Sequence, residues 1–107
     1  MNEEKRRFER HKLRVPVELT PEADRSPVRG ETADLSLGGF YIEMLFTLET
    51  GTKVDITLQL GESTLLAMGE VVTCDRTVGN GIRFTRMLAE DREELDSFLH
   101  TVEEKNT

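Results

Sequence analysis

Lys53-Val54-Asp55-Ile56-Thr57-Leu58-Gln59-Leu60 decides the fold class. Val54, Ile56, Leu58 and Leu60 alternate without a break with polar neighbours. Successive side chains of a strand point to opposite faces, so this octet reads as a strand with one apolar and one wet face. Gly61-Glu62 reads as a hairpin turn, and Ser63 to Cys74 as a long returning strand bent at Gly69. Working backwards, Phe46 to Thr50 is a connection and Phe40-Tyr41-Ile42-Glu43-Met44 is extended, with Met44, Leu45 and Phe46 expected in the core or at its rim, an exposed partner patch being the alternative. Val28 to Ala33 is a weaker strand, and Thr20 to Pro27, rich in Pro, Asp and Ser, is a loop. Leu13-Arg14-Val15-Pro16-Val17-Glu18-Leu19 alternates again, with Pro16 pointing to a sheet edge. Working forwards, Gly79-Asn80-Gly81 marks a break before a short strand, Ile82-Arg83-Phe84.

The C-terminal segment follows a different period. Leu88, Asp91, Leu95, Phe98, Leu99 and Val102 mostly share one stripe at helical spacing. Glu90 and Asp91 fall in the first turn, where the helix dipole favours negative charge, although Leu88 and Ala89 offer no capping oxygen. Six or so strands and one terminal helix predict an all-β-dominated fold, a small antiparallel barrel with the helix against one opening. Closure would remove the exposed sheet edges that endanger a small β domain.

The chain has 107 residues, enough for one core and one domain. No apolar run approaches the ~20 residues of a membrane helix, so no membrane insertion is expected. The N-terminus lacks the apolar stretch of a secretory leader, and Cys74 is the sole cysteine, which excludes an internal disulfide or a Cys-based zinc site. The expected location is the cytoplasm. His11 and His100 lack companions for a metal site, and neither metal nor cofactor is expected.

The net charge of −7 argues against a nucleic-acid polymer as partner. Its distribution is uneven. Residues 5–14 hold Lys5, Arg6, Arg7, Arg10, Lys12 and Arg14 against one acid, Glu9. That run reads either as a solvated tail or as a local anion site. Residues 1–12 are expected to form a flexible basic arm ahead of one domain spanning 13–107. Within the arm, Arg6-Arg7-Phe8-Glu9-Arg10 places two arginines four apart. Guanidinium pairs bidentately with phosphate and with guanine O6 and N7, and it stacks on flat rings. The second cluster is Asp34-Leu35-Ser36-Leu37-Gly38-Gly39. Asp34 offers an acceptor suited to guanine N–H groups, Ser36 a hydroxyl, and the paired glycines Gly38 and Gly39 a tight turn through positive φ. A plain structural Asx-turn fits the same residues.

Together the two clusters resemble the signature of the PilZ family, Arg-x-x-x-Arg followed by Asp/Asn-x-Ser-x-x-Gly. The likeness extends to Arg10-x-x-Leu13-x-Val15-Pro16-Val17, to Gly79-Asn80-Gly81-Ile82-Arg83-Phe84 and to Glu90-Asp91-Arg92-Glu93, covering about residues 4–102. The resemblance implies a six-stranded antiparallel β-barrel with one C-terminal helix. It also implies a bacterial, non-enzymatic receptor for cyclic di-GMP that signals to a downstream protein effector in motility or biofilm regulation. Carried over by position, Arg6, Arg7 and Arg10 would clamp phosphate and guanine. Asp34 and Ser36 would bond a guanine, and Gly38 and Gly39 would keep the turn compact. One or two ligand molecules per protomer fit this picture. The alternative is a protein-interaction adaptor that binds no nucleotide.

Overall fold

The computed structural model describes residues 9–105. It contains β1 (Pro16–Pro21), β2 (Val28–Leu35), β3 (Gly39–Glu43), β4 (Lys53–Leu60), β5 (Ser63–Asp75), β6 (Gly79–Met87) and α1 (Ala89–Lys105). The strands close into an antiparallel barrel in the order β1-β2-β3-β6-β5-β4. Two three-stranded meanders, β1-β2-β3 and β4-β5-β6, are thus joined by two seams, β1 to β4 and β3 to β6.

The alternation that predicts β4 sets its inward face. Val54, Ile56, Leu58 and Leu60 are buried, and their partners on β5 include the buried Leu65 and Ala67. Gly61 makes the β4–β5 turn at φ +63, where a side chain is disfavoured. The pairing of β5 with β6 shifts register between Met68 and Gly69, the glycine at which a bend was expected, and again between Val71 and Thr73. In α1, Leu95 and Leu99 are buried and the helix packs on β5, while Leu88 precedes the helix and stays exposed.

Three sequence expectations change. Gly79-Asn80-Gly81 is not a break but the start of β6, which runs to Met87 rather than stopping at Phe84. Its glycines keep the outer face thin: a Cβ on Gly79 would fall 2.6 Å from the Tyr41 ring, and one on Gly81 3.0 Å from Thr73. Pro16 is not on a sheet edge, because the barrel has closed. As the first residue of β1 it precedes the β1–β4 ladder, which begins at Val17, so its missing N–H removes no bond there. Leu45 and Phe46 are neither core nor rim, at 65% and 84% exposed. Their loop is tied on both sides. The Met44 amide donates to Val78 O, and Asn80 exchanges two 2.8 Å hydrogen bonds with the Leu48 backbone, leaving Leu45 and Phe46 to project between the anchors.

Backbone pairing begins before β1. His11 and Leu35 exchange two 2.9 Å amide-to-carbonyl bonds. Further along, the fully buried Thr32 spends its side chain on the same segment: Oγ1 donates to Leu13 O at 2.6 Å and accepts from Val15 N at 3.0 Å. Thr32 therefore stitches the lead-in to β2 where the β2–β3 register shifts. Thr32→Val keeps the shape but strands the buried Val15 amide and the part-buried Leu13 carbonyl, and should lower the unfolding free energy by roughly 2–4 kcal/mol. Urea denaturation checks this, and a change below about 0.5 kcal/mol, the size of an ordinary surface substitution, would contradict the stitch.

Candidate functional site

The end of β2 carries Asp34 and the start of β3 carries Gly39, so the connection Ser36-Leu37-Gly38 is a short turn. Ser36 holds it. Its backbone amide donates to Gly39 O at 2.8 Å, and its hydroxyl oxygen accepts from the amides of Gly38 at 3.1 Å and Gly39 at 3.2 Å. A hydroxyl has two acceptor positions and one proton. Both acceptor positions are filled by the turn, so only the proton, now donated to Gly39 O at 3.2 Å, remains for another partner. Ser36 can thus serve a phosphate or carbonyl oxygen, but not an N–H.

The glycines act differently from the expectation. Positive φ among the described residues is confined to Gly51, Gly61 and Thr77. Gly39 is required by contact instead: a Cβ there would lie 2.0 Å from Ile82 O across the β3–β6 seam. Gly38 O accepts from the Phe84 amide at 2.9 Å, which ties the turn to β6.

Beside this turn lies a cavity of about 550 Å³. Arg10, Ser36, Gly38 and Gly39 line it together with Tyr41, Thr73, Gly81 and Arg83, which the sequence reading did not single out as site residues. Asp34 stands at its edge. It accepts the Tyr41 amide at 3.2 Å and lies 3.9 Å from the Arg10 guanidinium. The structure therefore brings Arg10, Asp34, Ser36, Gly38 and Gly39 into one neighbourhood, while Arg6, Arg7 and Phe8 fall outside the described residues. Arg10 is 67% exposed at its side chain, so the ion pair is loose and its fork can turn to another acceptor.

Tyr41 and Arg83 extend the wall through ion-assisted contacts. Arg83 Nη2 lies 3.3 Å from Glu70 Oε1. Tyr41 Oη donates to Asp75 Oδ2 at 2.7 Å. The Asp75 carboxylate that accepts this proton, aided by desolvation and by its own and Glu43's negative charge, pushes the Tyr41 phenol up to about 12. The sequence placed Arg83 in a short strand between Ile82 and Phe84. What it faces depends on barrel closure.

Tyr41 is the sole tyrosine and tryptophan is absent, so phenolate absorbance reports this one group. The folded protein retains the proton that the unfolded chain releases near 10. Stability from the Tyr41–Asp75 contact is therefore present below that pH and lost as pH climbs towards about 12. A spectrophotometric titration, with circular dichroism confirming that the protein stays folded, should give a midpoint well above 10, and Asp75→Asn should lower it by on the order of a unit. A wild-type midpoint at or below the ordinary tyrosine value would refute the contact.

A family model described as PilZ domain matches residues 4–101. Several solved structures share the fold. The PilZ domain of YcgR from Escherichia coli, solved with c-di-GMP, aligns at TM-score 0.78 and 19% identity over 95% of this chain and 94% of that one. The PilZ domain of CeSA from a cellulose-synthesizing bacterium aligns at 0.72 and 22% identity, over 89% and 98%. The Bacillus subtilis inhibitor of motility, MotI/DgrA, aligns at 0.78 and 14% identity over 94% of this chain but 52% of that one, so the present chain spans about half its length. No curated protein sequence matches the chain. At these identities the structures establish the likeness of fold, and the family model covers nearly every residue. The chain belongs to the PilZ domain family.

Proposed function

We propose that the chain is a non-catalytic receptor for cyclic di-GMP that passes its ligand state to a partner protein. The observation that supports this reading is that Arg10 and the Ser36–Gly39 turn line the same cavity, with Asp34 beside Arg10. Ligand class is supported by chemistry and by kinship. A fork-shaped cation, a carboxylate and a hydroxyl with only its proton to give suit a guanine edge next to a phosphodiester. The YcgR PilZ domain, of the same fold, was solved with that nucleotide.

In this reading Arg10 leaves Asp34 and takes the ligand by paired hydrogen bonds. Asp34 then accepts guanine N–H groups, and Ser36 donates to an oxygen. Arg6 and Arg7 close over the nucleotide from the arm. Ordering about six arm residues costs on the order of 6–12 kcal/mol, so the ligand must supply several charge-assisted bonds and stacking. The reading gives Ser36 a binding role, not a nucleophilic one, because its lone pairs are occupied by amides. Stoichiometry is one or two nucleotides per protomer.

The adaptor reading has one observation in its favour: Leu45 and Phe46 project into solvent beside Val78, itself 58% exposed. Such a knob suits a protein contact. In a receptor the same knob would serve the effector.

Calorimetric titration with cyclic di-GMP, GTP and cyclic di-AMP tests the proposal. Binding should be confined to cyclic di-GMP, and Arg10→Ala should weaken it by on the order of tenfold to a hundredfold, the size of a lost charged hydrogen bond. Undiminished binding by that variant would remove Arg10 from the site, and absence of binding by the parent protein would leave the adaptor. Amide exchange gives a separate check. Ligand should slow exchange over residues 4–10, whereas His11 and Val15, whose amides already have partners, should change little. Equal exchange over 4–10 with and without nucleotide would refute closure of the arm.

A further inference from the structure

We propose that Arg83, positioned by Glu70, is a second ligand-contacting guanidinium of the cavity and meets the cyclic dinucleotide from the end remote from Arg10. The proposal rests on the receptor reading and extends it to a residue outside the two sequence clusters.

Barrel order fixes the layout. The lead-in that carries Arg10 joins β2 through His11 and Leu35, β2 pairs with β3, and β3 pairs with β6, where Arg83 sits opposite Gly39. The two arginines thus start from backbones about three strand spacings apart, roughly 14 Å. Both line the same cavity. Between them the turn presents bare backbone at Gly38 and Gly39, with Tyr41 and Thr73 flanking it. A flat ligand with acceptor groups at both ends matches this arrangement, and a cyclic dinucleotide has two phosphodiesters and two purines.

Gly39 also explains why Arg83 faces the cavity. On one flank Arg83 is paired with Gly39, so no side chain of β3 stands over its stem. On the other flank it is paired with Glu70, which holds Nη2 at 3.3 Å. That contact uses one of five guanidinium donors. An exposed ion pair contributes little to folding, and Arg83 is 58% exposed at its side chain, so stability alone gives weak grounds for this pair. As a device that limits how the guanidinium can point, it has a use: Glu70 is a positioning residue and Arg83 the contact.

Titration of the full chain with cyclic di-GMP at two or more salt concentrations tests this, using Arg83→Ala, Arg83→Lys, Glu70→Gln and Arg10→Ala. Arg83→Ala should weaken binding by on the order of tenfold or more and flatten the salt dependence. Arg83→Lys should restore the salt dependence but only part of the affinity, because lysine keeps the charge and loses the fork. Glu70→Gln should weaken binding by a smaller factor with the parent salt dependence, since the contacting cation is kept. Thermal melting verifies that each variant is folded. If Arg83→Ala and Arg83→Lys both bind within about twofold of the parent while Arg10→Ala is impaired, Arg83 has no contact and the receptor reading stands. If the parent itself does not bind, the receptor reading fails, and this proposal with it.

Discussion

The cavity depends on how closely β3 approaches β6. At Gly39 the two backbones leave no room for a Cβ, with Ile82 O at 2.0 Å from where it would be. This seam joins strands distant in sequence, and it completes the barrel. Its closeness places the Ser36–Gly39 turn of one meander against Arg83, Gly81 and Thr73 of the other. A larger residue at Gly39 would push the seam apart and would separate the two halves of the cavity wall together with the two halves of the core. Fold and site therefore share one constraint at one residue.

Hydrogen bonding around the turn divides the polar groups into those already committed and those held loosely. Ser36 has both acceptor positions filled, and the Tyr41 phenol is fixed on Asp75. Thr32 is wholly consumed in joining the lead-in to β2. The guanidiniums of Arg10 and Arg83 differ: each meets one carboxylate, at 3.9 and 3.3 Å, and each remains largely exposed. The frame around the cavity is thus held by its own hydrogen bonds, while the two cations at its rim are tied only by single, partly exposed ion pairs.

The opposite end of β3 shows the same economy with a different result. Asn80 points inward among apolar neighbours and is fully buried, yet its amide is satisfied by the Leu48 backbone and by Thr73 O. That anchor, with the Met44–Val78 bond, fixes both sides of the loop and presents Leu45 and Phe46 to solvent. One contiguous stretch, β3 and its flanks, thus carries the turn at the cavity, the seam and the exposed knob.

Much of this was legible in the chain itself. The alternation of Val54, Ile56, Leu58 and Leu60 determined a strand and its inward face, since a strand has a fixed period of two. The helical stripe determined Leu95 and Leu99 as core. The spacing of Arg6, Arg10, Asp34, Ser36 and Gly39 determined the family resemblance that the family model establishes. Tertiary structure alone decided the rest. Gly39 was legible as a turn glycine, but its reason is the Ile82 carbonyl, 43 residues away in sequence. Gly79 and Gly81 looked like a break because a sequence displays missing side chains, not the Tyr41 and Thr73 side chains that occupy the space above them. Leu45 and Phe46, being apolar, read first as core or rim, whereas a backbone anchor on each side of their loop directs them outward. Local periodicity is written in neighbouring residues, but the order in which strands close a barrel sets which distant residues meet.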